Sequence, residues 1–332
     1  SSDVCSSDLL IEFDFDPIFG VVLPQVIDYY IYILIHLNMR ILHILDAAGV
    51  ACIYSKFLQT KGHESKVIWN KDVGDKYGIY DYYKDYMINV PYVEFTDRCL
   101  REGEDADVIH VHGFIDILFK LHKNFHKKKI ILHYHGTDIR GLSRQELPHR
   151  SRLSDAVIRL KRLYRKKIGH SKAQKLADAV CVSTPDLLPL VSNGIHIPIP
   201  IDTDHFKPDS NSSVELKEAF TINSEVTNIQ WALDYCKKKG INLDVDVIDR
   251  TKNPIMYKNI PDFLRGYKTY VDIRYVNDTV LENLSSTALQ SLACGLRVLD
   301  YKLQFRQALP PEHNAVNVVS QIFGIYKELN LL

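Results

Sequence analysis

Short β-branched runs separated by stretches of helix length limit the folds open to this chain more than any other feature. RILHIL (40–45) is followed by the turn DAAGVA, the helical period CIYSKFLQTKGH and the run SKVIWN. DVIHVHG, KKIILHYHGTD, ADAVCVST and IHIPIPI continue the pattern, each bounded by turn residues. Strands apolar along most of their length and linked through helices argue a parallel sheet covered on both faces. Ligands of such sheets sit beyond the carboxyl ends of the strands.

At 332 residues the chain is long enough for about two domains. Pro198, Pro200 and Pro208 stiffen the segment IPIPIDTDHFKP, which reads as a link with little helix potential. After the polar stretch DSNSSVE a second alternation begins, with AFTIN, NIQWALDYCKKKG, LDVDVID, TYVDIRYV and RVLDY. QIFGIYKELNLL reads as a terminal amphipathic helix. The expected architecture is therefore α/β, with two Rossmann-like domains. The boundaries are residues 39–205 for the first, 206–312 for a shorter second, and 313–332 for the final helix. The first 38 residues stand apart. SSDVCSSDL resembles a translated sequencing adapter, and the apolar run from Val21 to Leu37 is broken by Pro24, Gln25 and Asp28. That run suits neither a membrane span nor a signal peptide. Met39 is the expected start and 1–38 a non-native leader, with an N-terminal anchor as the alternative.

Charge and cysteine usage exclude several classes. Lys+Arg and Asp+Glu balance at 41 each, so the whole-molecule field favours neither nucleic acid nor an anionic surface. Six scattered cysteines without C-x-x-C spacing read as reduced core residues of a cytoplasmic protein. Four D-x-D strings occur, at 14–16, 105–107, 202–204 and 244–246, but none at the carboxyl end of an expected strand, so no metal site is read. His110, His112, His133 and His135 form two H-x-H pairs on adjacent expected strands, each pair on one face. A zinc site is the lesser reading, because no Cys or carboxylate joins them at ligand spacing; a hydrogen-bonded core role is the greater for His110 and His133. His135 differs, because it precedes Gly136-Thr137-Asp138 at a strand end. The basic segment 150–175 carries apolar residues at helical spacing. It reads first as a solvated face, with membrane-surface contact or binding of an anionic acceptor as alternatives.

Two turns have the makings of an anion site. Ala48-Gly49-Val50-Ala51 joins the first strand to the first helix, where small residues let a ligand approach the backbone; a simple tight turn explains them equally well. In LENLSSTALQSLACGLRVLDY (281–301), Ser285, Ser286 and Thr287 are good caps for the helix ALQSLACG, and Gly295 is a good stop. Glu282 stands before that turn and Gln290 within the helix. From the residues alone, a capped core helix and a donor-binding turn both remain open.

Together these segments resemble the retaining glycosyltransferases of GT-B fold known as glycosyl transferases group 1, or family 4. The resemblance runs from Met39 to about Tyr301. MRILHILDAAGVACIYSKFLQTKGHESKVI is similar to that family's opening, and IILHYHGTD to its strand ending in His-Gly. ADAVCVST with IPIPIDTDHFKP is similar to the close of the first domain, and LENLSSTALQSLACGLRVL to the E-x7-E signature. The resemblance implies a hexosyltransferase that holds a nucleotide-diphosphate sugar on the second domain and a glycan or lipid-linked acceptor on the first, without metal or other cofactor. It implies that Glu282 contacts the donor sugar and Gln290 the ribose, and that N–H groups around Leu284, Ser285, Ser286 and Thr287 face the diphosphate. His135 would lie beside the reacting centre, and Gly49 would admit the phosphates. The sequence departs from the pattern in three ways. Gln290 replaces the second Glu, Asn223-Ser224-Glu225 stand where G-R…K-G is usual, and the second domain is short. Arg250 and Lys252 are the expected substitutes for the missing cations. A non-catalytic relative that binds a nucleotide sugar or a partner enzyme is the second reading. A sugar-nucleotide epimerase is the third, and it would need acid/base carboxylates that the sequence does not place.

Overall fold

The computed structural model describes residues 38–140, 168–209, 215–223, 228–250, 252–276 and 279–331. The expectations for the leader, for most of the basic segment and for Ser224-Glu225 lie outside these residues. The first sheet is built from β1 (Arg40–Ile44), β2 (Glu64–Asn70), β3 (Met87–Val90), β4 (Val108–His112), β5 (Lys129–Tyr134), β6 (Ala179–Val182) and β7 (Gly194–His196). All neighbours are parallel, in the order β3-β2-β1-β4-β5-β6-β7. Six of the seven strands fall within the apolar runs of the sequence. β3 does not, because MINV is short and half-buried beside charged turns.

The helices α1 (Val50–Thr60), α2 (Ile79–Tyr82), α3 (Tyr92–Asp105), α4 (Ile115–Asn124), α5 (Thr137–Arg140) and α6 (His170–Leu176) connect these strands. One apolar cluster, with Phe95, Leu118, Leu121 and Leu187, fills the face under α3 and α4. The opposite face carries α1, whose Val50, Ala51, Ile53, Tyr54, Phe57 and Leu58 are all buried.

The second sheet holds β8 (Lys217–Ile222), β9 (Val245–Ile248) and β10 (Tyr267–Val271), with a ribbon of β11 (Tyr275–Val276) and β12 (Thr279–Val280) beside it. β13 (Arg297–Leu299) and the antiparallel β14 (Phe305–Arg306) complete it in the order β14-β13-β10-β8-β9. Its helices are α7 (Ile229–Lys238), α8 (Ile260–Arg265) and α9 (Ser286–Ala293). Among the described residues β9 is the outer strand on the side opposite β14. TYVDIRYV reads as one strand, but the structure splits it after Val271. Asp272 still donates its N–H to Leu299 O at 2.9 Å, and its carboxylate accepts the Ser285 N–H at 2.8 Å.

The last helix, α10 (Ala315–Leu331), returns to the first domain and packs on α1. Val318, Val319, Ile322 and Tyr326 are fully buried there, and each such side chain contributes about 1.5–3 kcal/mol. The same apolar cluster continues through Ile197, Ile201 and Phe206 of the link to Tyr257, Leu264 and Leu289 of the second domain.

Asp202 pins this junction. Its buried carboxylate accepts both Lys56 Nζ bonds at 2.8 Å and the Tyr83 hydroxyl at 2.9 Å, and Tyr83 in turn meets the Tyr257 hydroxyl at 3.0 Å. Lys56 also reaches Asp204 at 2.9 Å, so the Asp202-x-Asp204 pair holds a lysine. Removing one partner of a buried pair strands the other charge. Asp202→Ala is therefore expected to cost about 3–5 kcal/mol, read from the midpoint of urea unfolding.

Candidate functional site

The carboxyl ends of the first sheet carry a column of imidazoles. Strand alternation places His110 and His112 of β4, and His133 of β5 with His135 just after it, on the α1 side, and His43 of β1 joins them opposite His110. The rings stack, with centroids 4.3 Å apart for His110–His112 and 4.3 Å for His133–His135. They are also joined nitrogen to nitrogen. The Tyr326 hydroxyl meets His110 Nδ1 at 2.7 Å, and His110 Nε2 meets His133 Nδ1 at 3.2 Å. His133 Nε2 and His135 Nδ1 share the Ser183 hydroxyl at 3.1 and 2.7 Å. His135 Nε2 meets His112 Nδ1 at 2.9 Å, and His112 Nε2 meets His43 Nδ1 at 3.1 Å. Only the far end is unpaired, since His43 Nε2 has no partner.

Burial keeps these rings neutral. Desolvation lowers His43 to about 3 and His135 to about 4, and holds His110, His112 and His133 well below the usual range. The triads His43–His110–His112 and His112–His133–His135 each bring three nitrogens within 4.8 Å. Those nitrogens are already spent on one another, apart from His43 Nε2. His135 is half-buried at the mouth of the column, and both of its nitrogens point inward.

The Gly49 turn is closed from within. Asp46 accepts N–H bonds from Gly49 at 2.5 Å, Ala51 at 2.6 Å and Cys52 at 3.4 Å, so a carboxylate of this chain occupies the start of α1. Gly49 has φ +93°, and a Cβ there would stand 3.4 Å from Ile79. α2 thus lies over the turn where the sequence admits phosphates. Desolvation, only partly offset by these bonds, raises the Asp46 carboxyl to about 6.

The start of α9 is open by contrast. Ser285 caps the helix, its hydroxyl accepting the Ala288 N–H at 3.0 Å, while its own N–H goes to Asp272. The N–H groups of Ser286 and Thr287 have no partner among the described residues. Glu282 is exposed in the preceding loop, and Leu284 and Gln290 are half-buried.

Arg274 stands at this turn, and Arg250 lies within electrostatic reach of Tyr270. Arg274, which the sequence reading missed, lies with Nε 3.3 Å from Asp272 and donates to the backbone and side-chain oxygens of Asn283. Arg250 covers the Tyr77 ring at 4.5 Å from its centroid, and burial lowers its pKa. The Nε atoms of both are buried without a hydrogen-bond acceptor. Both arginines lower the pKa of Tyr270, a phenol held up by burial that also lies against Ser285. Lys252 is instead 81% exposed and turned to Asp249. The signal that could have identified Arg274 is a cation inside an apolar strand-like run, two residues after Asp272. Asn283 also donates to Asp186 of the first domain at 2.9 Å, and Asp186 is held by Arg140 at 2.8 and 2.9 Å.

Solved structures of this shape are found. A glycosyltransferase involved in avilamycin A biosynthesis, AviGT4, aligns over 89% of this chain and 98% of its own, at 11% identity and a TM-score of 0.54. An alpha-glucosyltransferase in complex with UDP aligns over 88% and 91%, at 14% identity and a TM-score of 0.51. The fold is GT-B. The alpha-glucosyltransferase is also solved with UDP and a 13-mer DNA, again at a TM-score of 0.51. Neither a scan of protein-family profiles nor a search of curated proteins returns a match.

The GT-B frame has an acid weakness in this chain. The folded pKa values of the five imidazoles lie below their unfolded value of 6.5, so between about pH 6.5 and 4 the unfolded chain binds the extra protons. Their contribution is complete above pH 6.5 and falls as pH drops, by about 1.4 kcal/mol per unit for each ring. Asp46 acts with the opposite sign below pH 6 and offsets one ring. The loss deepens steadily towards pH 5, because all five rings act with one sign and only Asp46 opposes them. Cooperative unfolding near pH 5 is expected by circular dichroism, and replacement of His43 by Gln should make the acid limb shallower.

Proposed function

We propose that this chain is a glycosyltransferase that moves a sugar from a nucleoside-diphosphate sugar to an acceptor hydroxyl. The observation that carries the reading is the start of α9, where the Ser286 and Thr287 N–H groups have no partner among the described residues, with Arg274 at the same turn and Arg250 within electrostatic reach of Tyr270. A helix N-terminus and two cations suit a diphosphate in the ground state and the leaving group in the transition state. On this reading Glu282 accepts hydroxyls of the donor sugar, Gln290 hydrogen-bonds the ribose, and His135 walls the reacting centre. The family resemblance adds retention of configuration, independence of metal, and a lipid-linked or polysaccharide acceptor at the cytoplasmic membrane face. No described helix is long and apolar enough to cross a membrane. Balanced charge argues against a nucleic-acid acceptor, unlike the neighbour solved with DNA. UDP-sugars are the first donors to test, because UDP is the nucleotide bound by that neighbour.

The second reading is a non-catalytic GT-B relative, and one observation favours it. Arg274 is already engaged by Asp272 and Asn283, so a diphosphate must compete for it. Calorimetry with UDP, GDP and ADP, followed by nucleotide release from their sugars with acceptor extracts, separates the two. Binding with no release under any acceptor supports the relative, and absence of all binding sinks both. Arg274→Ala is expected to weaken nucleotide binding about 10- to 100-fold, the worth of one charge-assisted hydrogen bond. Lys252→Ala should leave it unchanged.

A further inference from the structure

The imidazole column has a property that follows from counting its hydrogens. Five neutral imidazoles, the Ser183 hydroxyl and the Tyr326 hydroxyl each carry one transferable hydrogen, one more than the six links between them require. Each link joins an Nε2 to an Nδ1 or passes through a hydroxyl, so the surplus hydrogen can end at His43, at Tyr326 or at Ser183, and three arrangements make all six bonds. If Tyr326 donates to His110 Nδ1, every ring carries its hydrogen on Nε2, and the surplus hydrogen ends on His43 Nε2. If the direction is reversed, every ring carries its hydrogen on Nδ1, and the Tyr326 O–H must find another acceptor.

The unpaired groups decide among them. Tyr326 is fully buried and has no second partner among the described residues, whereas His43 Nε2 is unpaired in every arrangement. In the third arrangement Ser183 accepts from both His133 Nε2 and His135 Nδ1, the rings on its two sides carry opposite tautomers, and its own O–H has no other partner among the described residues. The reversed and third arrangements therefore each strand two buried polar groups, a hydroxyl and His43 Nε2, and the first strands one. A stranded buried donor is costly, so the first arrangement is the stable one. We propose that Tyr326, Ser183 and His112 are positioning residues that lock all five rings as the Nε2–H tautomer. His135 then meets the cleft as a fixed ring with neither nitrogen free. A lever on the first domain's site is thereby set by a hydroxyl on the chain's last helix. The tautomer lock rests on this geometry alone, and only its effect on turnover rests on the transferase reading.

Nitrogen-15 NMR of the full chain labelled in its histidine rings tests the lock, with single His→Gln variants for assignment. At pH 7.5 all five rings should show the Nε2–H pattern. Tyr326→Phe removes the hydrogen that sets direction, leaving two equivalent arrangements, and His135 should become a mixture of tautomers. Ser183→Ala cuts the chain. His110 and His133 should keep the Nε2–H form set by Tyr326, while His43, His112 and His135 become mixed. Neighbouring rings with opposite tautomers, an all-Nδ1–H column, or Ser183→Ala leaving His135 unmixed would overturn the proposal. So would stoichiometric uptake of zinc or cobalt by the His112 triads with loss of these patterns. Where turnover is found, Tyr326→Phe should lower kcat several-fold with the donor KM unchanged; unchanged kcat removes the positioning role. If the NMR pattern holds and no donor binds, the lock stands and the transferase reading fails.

Discussion

Five imidazoles inside one domain impose a constraint that the neighbouring elements must satisfy. None can carry charge there, and each neutral ring needs both a donor and an acceptor in reach. β1, β4 and β5 with the residue after it supply the rings, the residue after β6 supplies the Ser183 hydroxyl, and α10 supplies Tyr326. The last of these is the most demanding, since the polypeptide must leave the second domain and cross back to deliver one phenol. The apolar face of α10 provides the energy for that return, and the phenol fixes its register against the sheet. Packing and polar satisfaction thus point to the same placement.

Much of this architecture was legible in the sequence because its cause is local. RILHIL, DVIHVHG and IILHYHG are apolar enough to be strands buried on both faces, and the Ser285 cap and Gly295 stop bound α9 as their chemistry predicts. The H-x-H spacing put both pairs of rings on one side of the sheet by alternation alone. What alternation does not contain is register between strands. That His43 faces His112, and that Ser183 lies between two rings, depends on how β1, β4, β5 and β6 are aligned. Tyr326 lay further out of reach, because nothing in KELNLL reports what its helix will cover.

The two anion-site expectations fared differently for one physical reason. A helix start is attractive to any carboxylate, including one supplied by the chain itself. At α1 the nearest supplier is Asp46, and it occupies the site; at α9 Asp272 takes only the Ser285 N–H and leaves two groups without a partner among the described residues. The same carboxylate draws in Arg274, so a residue that looked like part of a strand becomes part of the turn. Arg274, after β10, is the cation gathered at this turn, and Arg250, after β9, lies within electrostatic reach of Tyr270.

Among the described residues β9 has a partner on one edge alone, and an unpaired edge invites a strand from another molecule. LDVDVID answers with acids. Asp246 is tied to Lys217 at 2.7 Å and to the Tyr267 hydroxyl at 2.9 Å, and Asp244 stands just before the strand, while Val247 is left exposed. The exposed Asp244 sets a charge against a second copy laid beside this edge. A strand at the boundary of a sheet can in this way carry its own deterrent to self-association.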